Sequence, residues 1–490
     1  MAVSSQSTVL VETSRGAVRG AVEAGIARFL GVPFAAPPFG ADRLELPRPH
    51  EAWTGELDAT RFGPTPPQAP YEGLYASLLP SVLIDGEEIL NVNVWSPAAA
   101  LAGARLPVLV WIYGGALIRG SNAWPTYDGA PFARDGLVFV AINYRVGVEG
   151  FGQLEGAPNN RGLADVVAGL EWVRDEIEAF GGDPGDVSVF GQSAGGVLVS
   201  TLLGSPRARG LFSKAVVMSA GVGPLPPRPE RTLATAIAED LQIPQTKEAF
   251  AAKTPAELVG AQTRALSGGT IGTSALFPLI VSGDDLLPDP LWSALQAGAG
   301  DDVRVLIGHT AAEGRFWYAP KLAPPGLTRE VVEATLPRFG LSRAALEVYG
   351  RNRPGDDAAA LYGAIVLDLI CRVGLNWFAD RRSASGAPTW VYEFGWPSPV
   401  LDLGPAHCVD LPFLFDNLDD EWSRALVGED PPQRLADEMH GAFVHFAKTG
   451  DPGWEPWSAA RPVMTFDSPA SEVVYAPRDD ERRALLGEAP

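Results

Sequence analysis

The stretch VSVFGQSAGGVLVS, residues 187 to 200, constrains the fold more than any other part of the chain. The run VSVF reads as a buried strand, and the residues after Ser193 read as a helix. Between them, Gly191-Gln192-Ser193-Ala194-Gly195 is a G-x-S-x-G turn. Glycine on either side of the serine lets the strand and the helix pass closely, and the serine is held on a tight, strained turn. Its hydroxyl is thereby raised at the helix amino terminus, where the dipole favours a developing negative charge. Five-residue matches arise by chance in many chains, and the plain alternative is a tight turn without chemistry. The strand before and the helix after favour a nucleophile at Ser193.

The neighbouring segments fit the same architecture. LPVLVWIY (106–113), LVFVAINY (137–144), AVVM (215–218), VRVLIG (303–308) and TWVYEF (389–394) are short, Val- and Ile-rich runs bounded by Gly, Pro or Asp. Continuous apolar runs of this length suit strands buried on both faces, as in a parallel sheet covered by helices. Between 137–144 and 187–190, Leu163, Val166, Val167, Leu170, Val173 and Ile177 recur at three- and four-residue steps, one stripe of an amphipathic helix. GGDPGD (181–186) ends it with Gly at its close and Pro beyond. Strand and helix alternating at short spacing predict βαβ units and an α/β fold with a mostly parallel central sheet. Segments 223–275 and 318–385 instead carry helical spacing rich in Ala, Leu and charge, as in Leu233, Ala236, Ile237 and Leu241. They are expected to be helical insertions packed over the sheet, within one domain spanning 1–490.

Charge and cysteine content narrow the partners. Lys and Arg number 38 against 59 Asp and Glu, a formal net charge of −21. Nucleic acid and anionic membranes are poor partners for such a field, because both require phosphates to be neutralised by basic side chains. The amino terminus lacks a basic start followed by an apolar stretch, so no secretory signal is read there. The apolar runs at 106–118 and 137–142 are shorter than the roughly 20 residues needed to span a bilayer. Two cysteines, Cys371 and Cys408, cannot make a disulfide framework or a cysteine-only zinc site. Two reduced thiols in a cytoplasmic protein are expected.

A serine nucleophile needs a base and an orienting acid, which on this fold follow it in the order acid, then histidine. Five histidines are present: His50, His309, His407, His440 and His445. His50 and His309 lie too early for that order. His440 and His445 fall in the amphipathic helix QRLADEMHGAFVHFAKTG and read as residues near a packed face. His407, in the loop LGPAHCVDLPFLF just after the 389–394 strand, remains. Glu313, in GHTAAEGRF just beyond the 303–308 strand, is the candidate acid. Ligands of open α/β sheets bind at the carboxyl ends of the strands, so the three could converge there. Adjacent Cys408 admits a Cys–His dyad, but neighbouring residues in a loop rarely aim side chains at one another. Asp410 is the first alternative for the acid.

These motifs resemble type B carboxylesterases of the bacterial p-nitrobenzyl-esterase type, an α/β-hydrolase family that also contains the cholinesterases. The likeness runs through FLGVPFAAPPFGADRL (29–44), GEEILNVNVW (86–95), VWIYGGALIRGS (110–121) and INYRVGVEGF (142–151). Its most specific part is NRGLADVVAGLEWVRDEIEAFGGDPGDVSVFGQSAGG (160–196), and AEGRF and GPAHCVDLPFLF complete it. The resemblance implies an α/β-hydrolase that cleaves small-molecule carboxylic esters through an acyl-enzyme, without cofactor or metal. Ser193 would be the nucleophile, Glu313 the acid and His407 the base, with an oxyanion hole formed by the N–H groups of Gly115, Ala116 and Ala194. Ser219 would hydrogen-bond near the triad, and Arg145 and Asp165 would form an ion pair beneath it. Leu117, Phe316 and Leu411 flank the motifs and are candidates for the acyl pocket.

The departures carry information as well. Ile89 stands where secreted relatives have a disulfide cysteine, in keeping with a reducing compartment. Tyr113 replaces the His of many bacterial members. Loop 63–86 has no Trp, so a cation–π site for choline has no support. A carbamate or anilide hydrolase using the same triad is the alternative activity. A non-catalytic adhesion or binding protein is the remote one, disfavoured because every triad residue is kept. A monomer or small homo-oligomer is expected.

Overall fold

The computed structural model describes residues 7–222, 231–267, 280–341 and 343–487. Within them a sheet runs through β1 (Ser7–Thr13), β2 (Gly16–Glu23), β3 (Ile26–Pro33), β4 (Glu56–Asp58), β5 (Asn91–Pro97), β6 (Leu106–Ile112) and β7 (Val138–Ile142). It continues through β8 (Gly182–Gln192), β9 (Lys214–Met218), β10 (Arg304–Thr310), β11 (Thr389–Phe394), β12 (Pro462–Phe466) and β13 (Glu472–Tyr475). The spatial order is β1-β2-β3-β5-β7-β6-β8-β9-β10-β11-β12-β13, with β4 beside β2.

The centre, from β7 through β12, is parallel throughout. All of its strands but β12 read as continuous apolar runs in the sequence. β7, β9 and β11 are buried at every position, because helices cover both faces of a parallel sheet. β8 is longer than its apolar run suggests, since its pairing with β6 begins at Gly182. The flanking pairs β1–β2, β2–β3, β3–β5, β5–β7 and β12–β13 are antiparallel.

Helix Arg161–Glu176 buries the stripe expected of it, and Gly181 follows its last turn at φ 83°. β6 lies between β7 and β8, so the chain leaves it on one side and returns on the other. That reversal is the kind of switch point where open sheets form a crevice beyond their carboxyl ends.

The expected insertions are helical where they are described. Leu233–Leu241 and Pro255–Leu266 pack with Phe250 around Ile118, Val148 and Leu154. The Pro-rich stretch 223–230 and all of 268–275 lie outside the described residues. In the second insertion, Ala358–Asp368, a π-turn Leu369–Val373 and Gly374–Ala384 form one 27-residue helical run. Its most apolar window has a mean hydropathy of 1.8, high enough for a membrane span, yet 78% of that window is buried inside the molecule. It is a core helix, and Asp368 and Arg372 interrupt its apolar residues, so no continuous run of membrane-spanning length marks it in the sequence.

Candidate active site

The serine turn is built as the sequence implies. Ser193 has φ 57° and ψ −124°, a conformation that costs an L-residue about 1–3 kcal/mol and persists only where its surroundings enforce it. The enforcement is visible. Ser193 N donates to Met218 O at 2.9 Å, tying the turn to β9. A Cβ on Gly195 would lie 2.0 Å from Ile112 O, and one on Gly191 would lie 2.7 Å from Gly195 C. Any larger residue at either position would push the helix Ala194–Gly204 off the sheet.

Beyond β6, the Gly114-Gly115-Ala116 loop lies against this turn. A Cβ on Gly114 would stand 3.0 Å from Ser193 Cβ. Gly115 has φ 118°, and Ala116 and Leu117 also have positive φ, at 56° and 60°. Gly115, Ala116 and Ala194 donate no recorded backbone hydrogen bond to another acceptor among the described residues. All three N–H groups are therefore available to a ligand oxygen. The root of the loop is braced by Tyr113, which stacks on Tyr144 with ring centroids 4.3 Å apart. Each hydroxyl donates to the other's carbonyl, at 2.9 and 2.7 Å. Gln68 holds the far end, accepting from Gly120 N at 2.7 Å and donating to Gly120 O at 2.9 Å.

His407 and Glu313 arrive from the ends of β11 and β10. His407 Nδ1 is 2.5 Å from Glu313 Oε2, and Thr310 N donates to Glu313 Oε1 at 2.8 Å. A carboxylate can only accept, so Nδ1 carries the proton and Nε2 keeps its lone pair. Burial opposes ionisation of Glu313, but the His407 ring, the nearby Ser219 hydroxyl and the bond from Thr310 N outweigh it and hold its pKa below the usual value. Ser219 Oγ contributes to that field without forming a bond of good geometry. For His407, burial opposes the imidazolium, whereas the Cys408 sulfur and the Glu313 carboxylate favour it. The net effect is a pKa well above 6.5.

The side chain facing His407 Nε2 is unexpected. Gln192 Nε2 lies 3.1 Å from it and 3.4 Å from Cys408 Sγ, while no hydrogen bond joins Ser193 Oγ to the ring among the described contacts. Cys408 and Cys371 are free and buried.

Ser193, Gly114, Gly115, Ala116 and His407 open onto a cavity of about 440 Å³. Aromatic side chains roof it: Tyr71, Tyr75, Phe316 and Trp317. The Trp317 ring stands 4.9 Å from that of His407.

Of the three expected pocket residues, Phe316 lines this cavity and the other two do not. Leu117 follows the loop's second positive-φ position and turns into the main core, where it is 5% exposed. Leu411 begins the short helix Leu411–Leu414 and is wholly buried. Arg145 and Asp165 form the expected pair, with Nε–Oδ2 at 2.8 Å and Nη2–Oδ1 at 2.7 Å, both side chains buried. The pair ties the segment after β7 to the helix Arg161–Glu176 and touches no triad candidate directly.

Other histidines go elsewhere. His440 sits between Leu414 O and Asp135 Oδ2 at 2.7 and 3.0 Å, and His445 is exposed. Gln192, Trp317, Tyr71 and Arg119 were not singled out from sequence. Gln192 and Trp317 lie directly beside recognisable motifs, which is the signal that could have marked them.

Known proteins resemble this chain along nearly its whole length. A family model described as the Carboxylesterase family matches residues 7–476. The para-nitrobenzyl esterase of Bacillus subtilis is 32% identical, over 97% of this chain and 98% of its own length. A phenmedipham hydrolase of Pseudarthrobacter oxydans is 34% identical, over 95% and 94%. Among solved structures, a carboxylesterase of Geobacillus stearothermophilus superposes with a TM-score of 0.84 at 32% identity, covering 97% of this chain and 99% of that one.

Proposed function

This chain belongs to the carboxylesterase family and is a carboxylic ester hydrolase, and on that premise we propose that Ser193, Glu313 and His407 are its catalytic triad. The observation that carries the assignment is the 2.5 Å contact of His407 Nδ1 with Glu313 Oε2, set at strand ends beside a strained serine turn. His407 Nε2 takes the proton of Ser193 as Oγ attacks the ester carbonyl. The resulting oxyanion accepts from the N–H groups of Gly115, Ala116 and Ala194, which are aimed before charge develops. Collapse expels the alcohol, which receives the proton from His407. Water, deprotonated by the same Nε2, then attacks the acyl carbon and restores Ser193. Glu313 keeps the imidazole in the required tautomer and balances its charge. Gln192 lies across the Nε2 face at rest, so His407 engages Ser193 after a small side-chain shift, as unliganded active sites commonly require.

The cavity volume and its aromatic walls favour small to medium apolar acyl or aryl groups. Likeness to a phenmedipham hydrolase supports a second reading, cleavage of related carbamates by the same triad. An aryl phosphonate should label the peptide containing Ser193, and Ser193→Ala should lose roughly 10⁶ in turnover by analogy with a serine protease. Label on Cys408 instead, or a folded Ser193→Ala protein within tenfold of the parent, would overturn the assignment.

A further inference from the structure

One cavity residue has no part in the acyl-transfer chemistry. Arg119 closes the loop that carries Gly115 and Ala116, and its stem packs where a Cβ on Gly115 would stand, 3.3 Å from Arg119 Cγ. Its guanidinium carbon lies 4.5 Å above the Tyr71 ring, and Nη1 donates to Pro70 O at 3.3 Å. Both side chains line the cavity and both are half-buried. Stacking and the Pro70 bond fix the plane of the guanidinium while using one of its five N–H donors.

The charge around it is unusual for this chain. With a net charge of −21, arginines here commonly find a carboxylate, as Arg145, Arg372 and Arg381 do. Among the described residues none lies within ion-pair distance of Arg119. It is also the one lysine or arginine among the cavity-lining residues described. The acidic side chain on that lining, Glu72, is exposed at the rim. A planar guanidinium stacked on an aromatic wall, with no counter-ion among the described residues, has the geometry that receives a carboxylate through two parallel N–H bonds.

We propose that Arg119 binds a carboxylate on the substrate, so that the esters this site prefers carry an anionic group remote from the scissile bond. The proposal rests on the esterase reading above. The loop fixes Arg119 close to the oxyanion donors, and the carboxylate can belong to the acyl or to the alcohol part. Those are two sources of one chemistry.

Matched substrates separate them. On the acyl side, monoethyl succinate replaces the terminal methyl of ethyl butyrate by a carboxylate. On the alcohol side, 4-carboxyphenyl butyrate is compared with 4-acetylphenyl butyrate. The quantity read is the ratio of kcat/KM for the anionic ester to that for its neutral partner. Arg119→Gln is expected to lower that ratio about tenfold or more on one arm, the worth of a hydrogen-bonded charge contact. Arg119→Lys should lower it less, because the charge stays and the fork is lost. Arg209→Gln, at an exposed arginine away from the cavity, makes the same change in net charge and should leave the ratio where it was.

Equal ratios in Arg119→Gln and Arg209→Gln on both arms would overturn the proposal while leaving the esterase intact. Should Arg119→Gln fail to fold, an Arg119→Lys ratio equal to the parent's on both arms would overturn it as well. Absence of turnover on both neutral esters, together with no phosphonate label on Ser193, would instead overturn the reading beneath it.

Discussion

The floor of the cavity is carried on the ends of β6, β8, β10 and β11, whereas its roof comes from loop 68–81, the end of the glycine loop and the turn Arg315–Tyr318. On the floor, Glu313 and His407 are 2% and 4% exposed and each is held by hydrogen bonds from the backbone or from the other. On the roof, Tyr71, Tyr75, Arg119 and Trp317 are half-buried and meet mainly by ring contacts. A parallel sheet fixes strand ends to fractions of an ångström, and catalysis requires that precision. Loops over the surface have fewer partners and vary more readily. On the proposed reading, the chemistry belongs to the sheet and the selectivity to what covers it.

The largest expected effect that tests this division lies on the floor. Glu313→Gln keeps the shape but removes the charge and favours the wrong imidazole tautomer. A loss of order 10⁴ in kcat is expected by analogy with the serine-protease acid. The pH profile should move too. His407 is held well above its ordinary 6.5 partly by the Glu313 carboxylate, and it must be neutral to act as a base. In the parent, kcat/KM therefore rises with pH through an inflection above 6.5, and in Glu313→Gln the inflection falls. An unchanged rate would move the acid elsewhere, with Asp410 next to be tested.

This division also explains what the sequence disclosed. The serine turn, β6 to β11 and the candidates Ser193, Glu313 and His407 were legible because each depends on short-range signals. Those signals are continuous apolar runs, glycines whose missing Cβ permits contact, and chain order on this fold. The half-buried antiparallel strands β1, β2 and β3 have no continuous apolar run, and they went unmarked. Leu117 and Leu411 were misplaced because flanking a motif does not say which way a side chain turns. Leu117 points inward owing to two successive positive-φ residues, a backbone fact with no signature in residue type. Arg119 and Tyr71 are 48 positions apart, and only tertiary structure brings that guanidinium over that ring.

On the roof, Trp317→Ala tests the converse. Removing an aromatic ring that packs 4.9 Å from His407 forfeits about 0.5–1.5 kcal/mol beyond its buried area. That is a factor of roughly 2 to 10 in kcat/KM, and it should be felt chiefly in KM and more on aryl hexanoates than on acetates. A loss as large as that of Glu313→Gln, equal across acyl lengths, would mean that the roof takes part in the chemistry and that the two regions are not distinct.

The smallest effect on activity concerns a floor residue that touches no substrate. Asp410 is wholly buried, and neither of its carboxyl oxygens has a hydrogen-bond partner among the described residues. Burial, reinforced by the Glu313 carboxylate and only partly offset by His407, pushes its pKa from 3.8 up to about 7. The native protein thus keeps a proton that the unfolded chain surrenders near pH 4. Where the native state binds more protons, stability falls as pH rises, so this group's contribution is complete below about pH 4 and is lost by about pH 7. Three pKa units correspond to about 4 kcal/mol, or roughly 4 °C in Tm for a chain of this length. Asp410→Asn carries no titrating proton. Its Tm relative to the parent should therefore climb between pH 4 and pH 8 by up to that amount, while kcat stays within a few-fold. A Tm difference that does not vary with pH would show that Asp410 is ionised in the native state. A collapse of kcat would show that this carboxyl, and not only Glu313, serves His407.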